Sequence, residues 1–362
     1  MRIESRALLL VCLLVNAWAC QNKSQQSLAV SGIYPQEKCV ARLTEVIVYD
    51  IFSPPVASRL YAYANLAYYE AQRPAYPSAP AFLPQLKGFK PLPALPDSQS
   101  IHPELAGLVA FYRVSTALVF SKDSIRQTAE KAMELFAHLP AAKKSASMAW
   151  GEAMAKIILD RAALDHYKET RGMARYSVFP EKGKWEQTPP DYADATEPHW
   201  PKILPLLLDS ARELAPPPPP AHDLHPGSVY YKELKEVYEQ GKKNNPTTDT
   251  IARYWDDNPF VTTHTGHLTY ANKKTTPVGH WMGIASIVTA TASPLLKAKA
   301  FALSSAAIFD GFIACWAEKY HSRTIRPVSV IRQVWEPEWN PLLQSNGFGK
   351  LIGYPPGFYR HH

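Results

Sequence analysis

The residues best suited to chemistry lie between residues 304 and 327. Lys319 follows Trp316 by three residues, and Arg326 follows Lys319 by seven residues and stands directly before Pro327. Proline disfavours helical geometry in the residue before it, so we expect Lys319 near a helix end and Arg326 in the turn beyond. An ammonium and a planar guanidinium presented together suit a tetrahedral oxyanion such as phosphate or vanadate, because arginine binds two oxygens at once. The alternative is a pair of solvated surface charges.

Three histidines form a second group of candidates. His264 and His267 have the spacing of a turn, and together with His280 they resemble a set of zinc ligands. No carboxylate or cysteine stands at a supporting interval in the sequence, and the intervening Thr-Gly pair favours a hydrogen-bonded turn. We therefore interpret these histidines as lining a pocket or serving the structure, and we predict no direct metal ligand.

Helices must position these residues. Apolar residues at steps of three and four, ending at Trp316, predict that Lys319 is carried by a long buried helix. A proline-rich loop at 73–103 and an irregular segment at 172–201 interrupt the helical pattern, and no alternating strand pair is predicted. The fold class is therefore all-α, a multi-helix bundle. Periodicity and capping residues predict the other helices at 56–72, 103–120, 124–138, 145–164, 228–242, 248–255 and 280–292.

Composition limits the classes of partner. The chain has 362 residues, of which 46% are hydrophobic and 20% charged, so it can bury a sizeable core. The net charge of +7 is not gathered into a polybasic block, so nucleic acid is not predicted as a partner. A mildly basic surface favours a small anion. Nothing in the sequence indicates the oligomeric state.

The N-terminal segment has the pattern of an export signal. Residues 1–20 combine a basic start, an apolar run too short to span a membrane and small residues directly before Cys20. This pattern resembles a bacterial lipoprotein signal, with Cys20 as the lipidated residue and ordinary signal cleavage as the alternative. We expect a periplasmic or cell-envelope protein anchored by lipid to the outer or cytoplasmic membrane, with residues 21–39 as a linker. The sequence does not support a disulfide between Cys39 and Cys315.

The motif that runs from Trp316 through Lys319 to Arg326 and Pro327 resembles the first motif of the vanadium-dependent haloperoxidase and type 2 phosphatidic acid phosphatase superfamily. Other segments resemble its bacterial secreted haloperoxidase-like branch. Together they identify residues 40–344 as the N-terminal portion of a haloperoxidase-like helical domain. These segments are 50–59 (DIFSPPVASR), 102–105 (HPEL), 255–260 (WDDNPF), 264–267 (HTGH) and 279–283 (GHWMG).

The resemblance implies a cofactor and an activity. Lys319 and Arg326 match the family residues that hold the oxyanion, and Trp316 stands where some haloperoxidases line the pocket. With vanadate, the family oxidises halide with peroxide. With phosphate esters, a similar site supports transfer to histidine. Two alternatives stay open: an acid phosphatase-like phosphomonoesterase of the same superfamily, and a non-catalytic helical lipoprotein that acts as a binding module.

Residues 345–362 depart from the family pattern. The second family motif, Pro-Ser-Gly-His, is replaced by a run in which Pro356 and Phe358 flank Gly357, and no third motif follows. Deleting two bases would turn Gly-His-Ser-Thr-Ala-Ile into the observed residues from Gly357 onwards, so we hypothesise a frameshift. On this hypothesis the domain is C-terminally truncated and lacks its last catalytic helices. We then expect no intact catalytic residues, doubtful vanadate binding and negligible turnover.

Overall fold

The computed structural model describes residues 35–344, which fold mainly into helices, as the all-α prediction expected. The predicted signal segment, Cys20 and the tail 345–362 lie outside the described residues. Residues 35–39, assigned to a linker from the sequence, form the start of the first helix. The helices are α1 (Pro35–Tyr49), α2 (Pro54–Gln72), α3 (Pro103–Leu118), α4 (Lys122–Glu134), α5 (Ala141–Ala162), α6 (Tyr167–Arg171), α7 (Val229–Lys242), α8 (Pro246–Tyr254), α9 (Pro277–Val288), α10 (Pro294–Ser322) and α11 (Pro327–Val334).

Helix α2 is the centre of the core. Every residue from Pro55 to Gln72 is buried, because alanine, leucine and tyrosine occur on all of its faces. The sequence predicted a helix at 56–72, and the structure shows that it begins two residues earlier and is buried on every face. Helix α2 packs between α10 and α3, and α3 packs in turn against α5. A buried ion pair belongs to this layer: Arg59 donates to Asp165 at 2.6 Å, and both side chains are buried.

Helix α10 carries the site residues and belongs to the same core. Ser293 caps its first turn by accepting from the backbone N–H of Leu296, and Pro294 occupies the first helical position. A buried ion pair between Lys297 and Glu37, 3.0 Å apart, ties α10 to α1. By length and composition α10 could cross a membrane, but half of its apolar stretch is buried within the protein, as in a core helix.

A β-hairpin contradicts the prediction that the chain has no strand pair. Strands β1 (Phe260–Thr265) and β2 (Leu268–Lys273) pair in antiparallel register. Gly266 has a φ of +59° in the two-residue turn between them, a conformation that glycine adopts without strain. The hairpin is mostly exposed, so it needs support from outside, because an isolated two-stranded sheet is marginally stable in water.

A smaller hydrophobic cluster lies beside the main core. It joins α11 to α7 and positions the chain just after Arg326. The segment 172–201 is irregular as predicted and contains one short 3₁₀ turn that begins at Trp200. Cys39 and Cys315 are both free thiols. The buried members of the smaller cluster are Leu234, Ile325, Val328, Val330, Ile331 and Trp339.

Candidate oxyanion site

The end of α10 and the turn after it place Lys319 and Arg326. Helix α10 ends at Ser322, and Arg323 follows in the left-handed conformation with a φ of +49°. Arg326 is extended, with φ −77° and ψ 142°, and α11 begins at Pro327. The predicted effect of Pro327 on Arg326 is therefore confirmed. We refer to Lys319 and Arg326 together as the candidate oxyanion site.

Lys319 is held in a largely buried environment. Its ammonium lies over the ring of Trp316, 3.8 Å from the ring centroid, and it also hydrogen-bonds the thiol of Cys315 one turn earlier. Burial lowers the pKa of Lys319 to about 8, and the charge of Arg326 acts in the same direction, while Cys315 opposes the change. The amine therefore retains a proton at neutral pH but loses it in mildly basic solution.

Arg326 is buried more completely, with a relative exposure of 6%. Burial lowers the pKa of its guanidinium to about 10, which leaves it charged at neutral pH. The positive charge of Arg326 is close enough to lower the pKa of Lys319, so the two cations interact electrostatically. Their burial argues against the alternative of solvated surface charges.

These two side chains fit an oxyanion. Two neighbouring cations that have lost much of their hydration repel each other, and a bound anion would stabilise both. Lysine supplies a point charge with three donors, and arginine supplies a planar pair of donors that matches two oxygens of a tetrahedral anion. The donor set therefore fits vanadate or phosphate.

A loop segment fixes the turn between the two cations. Residues 183–185 run alongside residues 322–325, and the backbone N–H of Ile325 donates to the carbonyl of Gly183 at 3.1 Å. The backbone N–H of Trp185 donates to the carbonyl of Arg323 at 2.6 Å. Lys184 Nζ also donates to the last carbonyl of α10, that of Ser322, at 3.1 Å. The irregular segment thus holds α10 and α11 in their relative positions.

The sequence did not single out Thr196 and Tyr320, which support the site. The carbonyl of Thr196 accepts from Trp316 Nε1 at 3.0 Å and from Tyr320 Oη at 2.7 Å. Tyr320 follows Trp316 by four residues, so a helical wheel would have placed both on one face. Nothing local identifies Thr196 as their acceptor, because it lies 120 residues before Trp316.

The structure accounts for two of the histidines by contacts with carboxylates. His264, on β1, lies 2.6 Å from Asp191 through Nε2, and His280, on α9, lies 2.8 Å from Asp257 through Nδ1. His267 is exposed in the hairpin turn. Among residues 35–344, no group of three or more His, Cys, Asp or Glu side chains is arranged to hold a metal ion. That any of these histidines lines the pocket stays a prediction.

Similarity to known proteins points in the same direction. The family model of the VCPO second helical-bundle domain matches residues 299–344, which contain both cations. Among solved structures, the chain is similar to the first bacterial vanadium-dependent iodoperoxidase, with 39% identity, a TM-score of 0.79 and coverage of 86% of this chain and 75% of that chain. It also resembles in fold a holo-type bacterial vanadium-dependent chloroperoxidase, with 15% identity, a TM-score of 0.53 and coverage of 78% and 65%. No curated protein matches the chain.

Proposed function

Because this chain belongs to the vanadium-dependent haloperoxidase family, we propose that Lys319 and Arg326 bind vanadate, the group with which the family oxidises halide by peroxide. Turnover also requires the groups that the second and third family motifs supply. The observation that carries the proposal is the burial of both cations, close enough for the charge of Arg326 to lower the pKa of Lys319. Vanadate, when bound, supplies the centre at which peroxide oxidises the halide.

The two cations have different roles in this proposal. Arg326 keeps its charge throughout the neutral range and orients the anion, because its guanidinium matches two oxygens. Lys319 adds a point charge whose strength depends on pH. Trp316 covers one side of the ammonium and so restricts the directions in which Lys319 can donate.

We propose iodide as the halide to test first. The support is the identity of 39% to a bacterial enzyme described as an iodoperoxidase. The phosphatase alternative uses the same anion site, so a chromogenic phosphate ester is the matched competing substrate.

Vanadate binding tests the proposal directly. The full chain is titrated with orthovanadate by calorimetry, alongside Lys319→Met and the control Lys299→Met. Lys299 lies on the same helix, about 30 Å away at 1.5 Å per residue. We expect Lys319→Met to weaken vanadate binding at least about tenfold, the loss of one charged hydrogen bond. Lys299→Met should bind like the wild type.

Turnover is then measured on the vanadate-loaded chain with iodide and peroxide, and on the vanadate-free chain with the phosphate ester. Iodide oxidation that is lost in Lys319→Met supports the haloperoxidase proposal. Ester hydrolysis without iodide oxidation supports the phosphatase alternative. Wild-type protein that binds no vanadate, or that binds it equally well after Lys319→Met, would overturn the proposal.

A further inference from the structure

Glu197 has an unusual backbone conformation next to the site. Its φ is +51°, in the left-handed region that non-glycine residues seldom occupy. The φ of Glu197 sets the orientation of the preceding peptide plane, and hence the direction of the Thr196 carbonyl. That carbonyl accepts hydrogen bonds from both Trp316 and Tyr320. Such a conformation costs free energy and persists only where the surrounding structure holds it in place.

An ion pair holds the side chain of Glu197. Arg171 donates to the carboxylate through both terminal nitrogens, to Oε1 at 2.9 Å and also to Oε2. Ser53 Oγ donates to Oε1 at 3.0 Å. Only 11% of the Glu197 side chain is exposed. The guanidinium carbon of Arg171 lies over the ring of Tyr167, 4.6 Å from the ring centroid. A two-pronged contact of this kind fixes both the position and the orientation of the carboxylate.

These contacts form a continuous connection to the site lysine. Arg171 fixes Glu197, Glu197 directs the Thr196 carbonyl, and this carbonyl fixes the indole of Trp316. The face of the same indole contacts the ammonium of Lys319. We propose that the Arg171–Glu197 ion pair is a positioning device for the oxyanion-binding lysine. This inference rests on the proposed function of Lys319.

A purely structural role is the competing explanation. The pair also tethers α6 to the segment that contains Thr196, so its loss could lower stability without any effect on the site. A tether would lower the midpoint of thermal unfolding and leave the Trp316 indole and the anion affinity unchanged. If the pair positions Lys319, its loss changes both the Trp316 indole signal and the anion affinity in protein that is still folded.

The experiment compares Arg171→Ala with Arg171→Lys and with a matched control, Arg113→Ala. Arg113 also forms an ion pair with a glutamate, Glu152, but on the exposed surface far along the chain from the site. The full chain is labelled with ¹⁵N-tryptophan, and the indole N–H signal of Trp316 is identified among the 9 tryptophans by its loss in Trp316→Phe. Hydrogen exchange of this signal is measured at a temperature where all variants are folded.

We expect Arg171→Ala to shift the Trp316 indole signal and to speed its exchange about tenfold, the effect of losing one ordinary hydrogen bond. Orthovanadate binding should weaken by a similar factor. Arg171→Lys, which keeps the charge but has no planar fork, should fall between the wild type and Arg171→Ala. Arg113→Ala should match the wild type in both measurements.

The two readouts separate the possible failures. An unchanged Trp316 signal in Arg171→Ala would overturn the positioning role, whatever the anion affinity. If the indole signal changes but wild-type protein binds no vanadate, the proposed function fails while the connection from Arg171 to Trp316 stands. If the indole signal changes and vanadate affinity does not, the positioning of Lys319 is refuted.

Discussion

The lowered pKa of Lys319 predicts that anion binding depends on pH. Burial, reinforced by Arg326, lowers this pKa from 10.5 to about 8. A bound anion favours the charged amine, so above this pKa each binding event must also take up a proton. Affinity for an anion of constant charge should therefore fall roughly tenfold for each pH unit above about 8. Between about pH 7 and about pH 9.5 the expected fall is roughly thirtyfold.

The same group has a predictable effect on stability. The charged amine is disfavoured in the folded state, so its burial costs free energy below about pH 8, and this cost is relieved as pH rises from about 8 towards 10.5. A lowering of the pKa by this amount corresponds to about 3 kcal/mol at most. Lys319→Met removes the buried charge, so its free energy of unfolding should exceed that of the wild type at neutral pH.

The assay is a calorimetric titration with molybdate, a tetrahedral dianion whose charge is constant over this pH range. Repeating it in buffers with different ionisation enthalpies measures the protons taken up on binding. Lys319→Arg, which stays charged throughout, should bind with little dependence on pH, and Lys319→Met should bind weakly and also without that dependence. Wild-type affinity that is flat between about pH 7 and about pH 9.5, or a fall retained in Lys319→Met, would refute the assignment to Lys319.

Three further predictions concern the packing of α5 and α10, each measured as the free energy of unfolding in denaturant. Lys297→Met leaves the carboxylate of Glu37 buried without its ammonium, and should cost about 3 kcal/mol; equal stability would show that the pair contributes little. Gly151→Ala would place a Cβ 2.6 Å from a carbonyl oxygen of α3 and should lower the free energy of unfolding by about 1–3 kcal/mol. Gly311→Ala meets no atom within 4 Å and should raise it by about 0.5–1 kcal/mol. Similar changes in both variants would contradict the close packing of α5 against α3 at Gly151. Asp310→Ala removes the acceptor of three backbone N–H groups at residues 206–208 and should cost at least about 2 kcal/mol, with Asp310→Asn intermediate; a neutral Asp310→Ala would show that water replaces the carboxylate.

The sequence predicted the parts of the site that depend on local effects. Pro327 restricts Arg326 wherever the chain goes, so its extended conformation was predictable from two adjacent residues. The placement of Lys319 near the end of a long helix was predictable from apolar periodicity, because helical spacing depends only on neighbours along the chain. The type and spacing of the two cations also indicated an anion, because the donor geometry of lysine and arginine is a property of the side chains themselves.

The hairpin was missed because its evidence is divided between local and distant residues. Phe260, Val261 and several threonines favour a strand, and Gly266-His267 suits a two-residue turn. The run is short and mostly exposed, so it lacks the alternation that marks a half-buried strand. Part of the hairpin's support comes from Asp191, whose carboxylate accepts a hydrogen bond from Thr262 Oγ1 at 2.7 Å. The two residues are 71 positions apart, and sequence patterns do not reveal contacts over such distances.

What the sequence alone determined here is therefore the helical class and the choice of Lys319 and Arg326 as the side chains that we propose bind the anion. The tertiary structure decided how those side chains behave. Burial and the charge of Arg326 lower the pKa of Lys319. The ammonium of Lys319 lies over the indole of Trp316, and that indole donates a hydrogen bond to the carbonyl of Thr196, which is distant along the chain. The strained conformation of Glu197 could not be predicted, because only the surrounding fold makes it the favoured one. Local propensity specifies the secondary structure of a segment. Loss of side-chain hydration, the electrostatic field at a charged group and backbone strain arise only when distant segments pack together.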